Sequence, residues 1–375
     1  MVKDVIKLGD VATYINGYAF KPEDRGEVGL PIIRIQDLTG NAYDLGFYDG
    51  EYPEKIEIND GDVLISWSAS LGVYVWNRGR ALLNQHIFKV VFDKVDIDKN
   101  YFVYAVRQKL VEMGMKTHGA TMKHIVKKDF DATLIPYPSL IEQAEIATNL
   151  NKVSRVIEAR KQELQLLDDL IKARFVEMFG DPISNPKSYI KEAIEKHIDL
   201  LSGFPFKSEQ YVDEGINICG GLIIMPQKIK WEECVHWSST DGYEDYMLNE
   251  NDIVMALDRP WISEGFKIAK VDTEHLPALL IQRTARIRAI DLNQDYLYYC
   301  FINGGFDRHS NVTGSLVPHI SAKDIRSFEV MLPPIELQNE FATFVHGVDK
   351  SKVIVQKALD ETQTLFDSLM QEYFG

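Results

Sequence analysis

The sequence predicts an α+β protein: two similar mixed α/β globular parts joined by two long helices that form an antiparallel coiled coil, with an internal pseudo-twofold repeat. Three observations carry this. The chain repeats itself, each repeat ends in an unbroken apolar heptad, and the segments before each heptad read as strands and short helices. The repeat is visible at the ends: "FVEMFG" at Phe175 to Gly180 is answered by "LMQEYFG" at the close of the chain. Shifted by 195 positions, Pro138, Gln143, Glu145 and Ala147 fall on Pro333, Gln338, Glu340 and Ala342. Gly119, His124, Ile125 and Asp129 fall on Gly314, His319, Ile320 and Asp324. Upstream the offset drifts: "GYAFK" (Gly17 to Lys21) answers "GFPFK" (Gly203 to Lys207) at 186, and "ALLNQH" answers "ALLIQR" at 197. Matches that keep their order while offsets drift describe one scaffold with loops of different length.

The helices follow from periodicity. Ile146, Leu150, Val153, Ile157, Arg160, Leu164, Leu167, Ile171, Arg174 and Met178 step alternately by four and three. Phe341, Val345, Val348, Lys352, Val355, Leu359, Thr362, Phe366, Leu369 and Tyr373 do the same. This is an a/d seam. Gly180-Asp181-Pro182 is a stop signal. The charged and polar members (Arg160, Arg174, Lys352, Thr362) weaken such a seam but fix its register. Each helix is about 58 Å long at 1.5 Å per residue. The short link from Gly180 to the next element near Ile194 reaches at most about 45 Å. The helices are therefore expected to pair antiparallel, with the globular parts at opposite ends. In those parts, "DVLISWS", "HIFKVVF" and "TARIRAI" read as strands. Tyr101 to Leu110 and Tyr296 to Phe301 read as helices. "DATLIPYP" and "SFEVMLPP" read as final strands leading into the heptads.

Composition narrows the function classes. Hydrophobic content is 45% and no apolar run reaches the roughly 18 residues of a membrane span. "MVKDVIKLGD" is too polar for a signal peptide, and three cysteines without metal-ligand spacing predict reduced, buried thiols. The expectation is a cytoplasmic protein. Net charge is −15, yet Arg78 to Lys128 holds eleven basic residues against four acids, and Arg259 to Arg326 nine against seven. Such segregation fits one face for a polyanion, although a solvated surface gives the same pattern. No catalytic or cofactor pattern emerges. "NPKSY" is not the Asn-Pro-Pro-aromatic motif that grips a flipped adenine. No glycine-rich turn, P-loop or Cys/His cluster occurs. His124 and His319 match across the repeat, with a structural or a phosphate role open for each.

The residues that repeat resemble those of the specificity subunit of a Type I restriction–modification system. They are "KLGDV", "GYAFK" with "GFPFK", "GDVLIS" with "NDIVMA", "LLNQH" with "LLIQR", "HGATMKHI" with "TGSLVPHI", and "IPYPSLIEQAEIA" with "LPPIELQNEFA". The resemblance spans the whole chain. It implies target recognition domains at 1–138 and 181–334, and conserved long helices at 139–180 and 335–375. It implies that each domain reads one half of a bipartite, asymmetric duplex DNA site. The helices would set the spacing and dock two methyltransferase subunits, with restriction subunits joining through these. The chain itself would hold no cofactor and no metal and carry no catalytic residue; S-adenosylmethionine, ATP and magnesium belong to the partner subunits. The family often carries a basic residue after the "DVLIS" strand. Here Trp67 and Asp258-Arg259 stand there, so the two loops are expected to differ in DNA contact. Two other readings remain: a recognition subunit of a fused nuclease–methyltransferase, and a coiled-coil adaptor that binds no DNA.

Arg and Gln make bidentate base contacts, while Lys, Ser and Thr suit phosphates. The candidate DNA-binding residues are Ser68, Arg78, Arg80, Gln85, His86, Thr117, Thr121 and Lys123 in the first half. In the second they are Arg259, Trp261, Gln282, Arg283, Thr284, Arg286, Arg308 and Ser315. Acidic residues on the helices (Glu142, Glu145, Glu163, Asp168, Asp169, Glu336, Glu340, Asp360, Glu361) are expected to face protein, because DNA repels their sign.

Overall fold

The computed structural model describes residues 4–40, 44–116, 125–303, 305–310 and 319–375. The two heptads are single helices of 40 residues, Leu140–Phe179 and Ile335–Phe374. No position of either predicted seam is exposed.

The chain divides into two compact units: residues 1–162 with 356–375, and residues 163–355. In the first, Leu150 and Ile157 share a core with Phe366, Met370 and Phe374. In the second, Ile171, Phe175 and Met178 share a core with Phe341, Val345 and Val348. In both, early residues of one helix meet late residues of the other, which is the antiparallel pairing. Two seam cations are held across the pair in the second unit. Lys352 Nζ lies 2.6 Å from Asp168, and Arg174 lies 3.0 Å from Glu340. Asp168 and Glu340 thus serve register; they are not the free outward charges expected from their sign. Glu142 likewise accepts from Ser139 at its helix start.

Each unit contains a four-stranded antiparallel sheet with the same order. In the first, strand Thr13–Asn16 pairs with Ile87–Val91, which pairs with Val63–Ser66, and that with Gly72–Val75. In the second, Ile198–Ser202, Thr284–Ala289, Ile253–Ala256 and Ile268–Lys270 repeat it. Strands Leu134–Pro136 and Glu329–Met331 lead into the long helices and pair with Val5–Lys7 and Lys191–Ala193. Helices Lys99–Lys116 and Gln294–Asn303 cover the sheets.

The repeated "FG" endings have a packing reason. Phe179 is fully buried, with its ring 4.7 Å from that of Tyr296; Phe374 is fully buried, 5.1 Å from Tyr101. Each tyrosine donates to the carbonyl of its unit's final strand, Tyr101 to Pro136 at 2.9 Å and Tyr296 to Met331 at 2.8 Å. Gln143 and Gln338, both buried, repeat a second latch. Each accepts from the N–H just before the helix that covers its sheet (Asp98 before Lys99–Lys116, Asn293 before Gln294–Asn303) and donates to the carbonyl of Pro138 or Pro333, all at 2.8–2.9 Å. Buried amides must be satisfied in this way, since an orphaned one costs about 1–3 kcal/mol. The two helices therefore share matched endings because each closes a core of the same design.

Candidate nucleic-acid interface

The two motifs "GYAFK" and "LLNQH" are one structure. Tyr18 donates to Leu83 O at 2.8 Å, and Gln85 donates to Tyr18 O at 2.9 Å. In the second half Phe204 donates to Leu280 O at 3.0 Å and Gln282 to Phe204 O at 2.8 Å. The glycines are required by this approach. A Cβ on Gly17 or Gly203 would stand 2.0 Å from the carbonyl oxygen of Asn84 or Ile281. Both backbones then turn through the left-handed region at the next residue, His86 (φ 71°) and Arg283 (φ 63°).

A second left-handed residue stands beside each turn. Ala69 (φ 57°) and Arg259 (φ 46°) follow the strands Val63–Ser66 and Ile253–Ala256. The frames coincide bond for bond. Trp67 N–H donates to His86 O at 3.2 Å, and Leu257 N–H to Arg283 O at 2.9 Å. Ile125 N–H then donates to Trp67 O at 2.9 Å, and Ile320 N–H to Leu257 O at 2.8 Å. Non-glycine residues with positive φ are uncommon, and strain of this kind collects at binding sites. Here it falls twice, at the same two positions of a duplicated frame.

In the second half Arg259, Gln282 and Arg283 are exposed and line one cavity of about 840 Å³. Asp258 lies between Arg283 (3.2 Å) and His319 Nδ1 (2.5 Å), which gives His319 a carboxylate partner. Trp261 is half-buried, stacked on Phe266 and packed against the core of its unit. Arg308 is exposed. Two expectations are corrected. Thr284 has no exposed surface and gives its hydroxyl to Ile281 O. Arg286 is 6% exposed, with its guanidinium on Asp199 and on the carbonyl of Asp245. Both sit in a sheet strand and hold the frame; burial keeps both from the surface, including an Arg286 Nε that has no partner among the described residues.

In the first half Gln85 is exposed and His86 half-buried, its Nδ1 buried without a hydrogen-bond partner among the described residues. Its ring lies 5.0 Å from Trp67, which itself stacks on Phe88. Trp67 is therefore part of the core edge. Ser68 is 8% exposed, which removes it from direct contact. Arg78 is exposed, lies over the Trp76 ring and donates to Asp37 O at 2.9 Å. Arg80 is clamped by both oxygens of Glu57 at 2.9 Å, and with Tyr52 it holds the Glu57 carboxyl down to about 2. Arg80 lines a surface pocket with Tyr52, Glu57 and Lys89. Thr117, Thr121, Lys123, His124 and Ser315 lie outside the described residues.

The sequence reading missed Lys267. It lines the cavity beside Arg259 and is 7% exposed. In sequence it looks like Lys270 three positions on. Only the fold, which closes the Gly220–Gly221 turn over it, sets them apart. Cys219 and Cys300 are buried free thiols as expected; Cys234 is only half-buried and lines the same cavity. No group of metal-binding side chains occurs among the described residues, and none of their helices is long and apolar enough to cross a membrane.

A duplicated scaffold with one strained polar loop frame in each half defines a two-site binding module. Comparison with known proteins gives it a family. The family model described as "Type I restriction modification DNA specificity domain" matches residues 3–168 and 204–362, and the chain belongs to that family. It is similar to the Type I restriction enzyme MjaVIII specificity subunit of Methanocaldococcus jannaschii, at 23% identity over 98% of this chain and 91% of that protein. It is also similar to the Escherichia coli EcoBI specificity subunit, at 29% identity over 44% of this chain and 35% of that protein. The crystal structure of the Type I restriction–modification S subunit from M. genitalium shares the fold, with a TM-score of 0.57 at 14% identity, covering 99% of this chain and 96% of that one.

Proposed function

We propose that the chain is the recognition component of a Type I restriction–modification complex and reads a split, asymmetric site in duplex DNA. The observation that supports this most is the duplicated loop frame. Gln85 and His86 in one half, and Arg259, Gln282 and Arg283 in the other, stand on turns of matching backbone but with different side chains. A shared frame gives both halves one way of meeting a groove, and different side chains give them different sequences to read. Residues 1–138 and 181–334 act as the two readers. The helices at 139–180 and 335–375 set the gap between half-sites and dock two methyltransferase subunits, through which restriction subunits join. S-adenosylmethionine, ATP and magnesium act in those partners, and this chain carries no catalytic group. The site of action is the cytoplasm, where the DNA is.

The test is a methylation map of a host expressing the chain with its modification subunit. The expected result is one bipartite motif with unlike halves and a fixed gap. A palindromic motif would overturn the reading of unlike halves, and no new methylation from an assembled complex would overturn the recognition role.

A further inference from the structure

The second half carries a lysine whose charge the protein leaves without a carboxylate. Lys267 is 7% exposed, lines the 840 Å³ cavity, and donates to Gly221 O. No carboxylate lies within ion-pair distance of it among the described residues. Arg259, on the same cavity, also makes no ion pair there, while Asp258 is taken by Arg283 and His319. Burial and the Arg259 charge both pull the Lys267 ammonium below its ordinary value. A charge kept out of water without a partner costs stability, so a fold that retains one is holding it for something that arrives.

The first half shows what the frame looks like without this device. Gly72 pairs opposite Ser66 where Lys267 bonds across to Ala256. Ala69 and His86 occupy the positions of Arg259 and Arg283. One scaffold therefore carries two arginines and a lysine in one copy, and alanine, histidine and glycine in the other. The frame folds without the cations, so they are not there to build it.

We propose that Lys267, with Arg259 and Arg283, forms a preformed phosphate site in the second half that seats one phosphodiester of the bound DNA. The choice of DNA as the source of that phosphate rests on the function proposed above. A phosphate oxygen would supply the missing counter-charge, and the ammonium has donors left beyond the one given to Gly221. The two arginines stand on left-handed backbone at the rim and clamp from outside. The site fixes the register of the second reader and carries no base information. The first reader, lacking it, depends more on base contacts.

The test compares wild type, Lys267→Met and Lys267→Arg in the full chain assembled with its modification subunits. Duplex affinity is measured across a salt series, and melting temperature with and without inorganic phosphate. Lys267→Met is expected to weaken duplex binding on the order of tenfold, as for loss of one charge-assisted bond. It should lower the slope of log affinity against log salt by about 0.9, the value of one phosphate. It should melt at the same temperature or higher, because an uncompensated buried charge is gone. Lys267→Arg should retain the slope. Phosphate should raise the melting temperature of wild type and not of Lys267→Met. Duplex binding with unchanged affinity and slope in Lys267→Met overturns the site, as does a marked fall in its melting temperature, which would make the lysine structural. If wild type binds no duplex but phosphate stabilises it through Lys267, the site stands and the DNA reading falls. If neither ligand responds, both fall.

Discussion

The two halves of this protein are the same machine with different fingertips. Their frames agree at the level of single bonds: Gly17 and Gly203 against a carbonyl, Trp67 and Leu257 donating to His86 and Arg283, Tyr101 and Tyr296 closing the core. Their tips do not agree. Ala69, Gly72 and His86 stand where the other half has Arg259, Lys267 and Arg283. Charge was exchanged at positions whose backbone did not change. A shared frame with unlike tips is the arrangement a scaffold takes when its core is fixed by packing and its loops are free to differ.

The largest effects should fall on the shared frame and fall equally on both copies. Phe179→Ala and Phe374→Ala each empty a fully buried aromatic site beside the matched tyrosine. Each should cost about 3–5 kcal/mol of stability in denaturant unfolding. Clearly unequal losses would break the view of one core latch used twice.

Gly17→Ala and Gly203→Ala come next. Each pushes a methyl group to 2.0 Å from a backbone oxygen, which must move. Overpacking of this kind costs about 1–3 kcal/mol. Because Gln85 and Gln282 hang on the same carbonyl ladder, each change should also weaken methylation at one half-site and spare the other. A folded variant with both half-sites intact would show that the turn is not what aims these residues.

A smaller effect distinguishes the halves. Glu57 clamps Arg80, and its folded carboxyl lies at about 2, below the ordinary value near 4.3. A depressed carboxylate adds stability that is complete above its unfolded value and fades as pH falls toward its folded one. The stability gap between wild type and Glu57→Gln should therefore be steady at neutral pH and shrink from about pH 4.3 toward 2. A gap that holds to pH 2 would contradict the clamp. Freed of Glu57, Arg80 should also bind duplex DNA slightly more tightly, seen as a steeper salt dependence.

The frame was largely legible in the sequence because it is periodic and repeated. The seams show in a four-three step, the final strands in the residues before Pro138 and Pro333, and the duplication in matched pairs. The tips were legible only in part. Gln85, Arg259, Gln282 and Arg283 flank strongly patterned strands, and the structure leaves them exposed. Thr284 and Arg286 look the same in sequence, but they start a central strand that is covered on both faces, which puts them inside, on Ile281 O and Asp199. Lys267 failed in the other direction, because its burial depends on a turn some forty-six residues away. Sign alone assigns Asp168 and Glu340 to a partner, although cross-helix cations already hold them. Pattern reports which face a residue takes; it does not report which neighbour has arrived there first.

If the two halves read DNA independently from one shared frame, damage to one reader should leave the other intact. The most direct measurement is a methylation map of a host expressing, with the modification subunit, either wild type or the double variant Gln282→Ala/Arg283→Ala. Both side chains are exposed, and neither closes a core. In the double variant one half of the recognised motif should become degenerate while the other half and the gap between them stay as in wild type. A map in which both halves change, or in which the folded variant keeps its full motif, would contradict it.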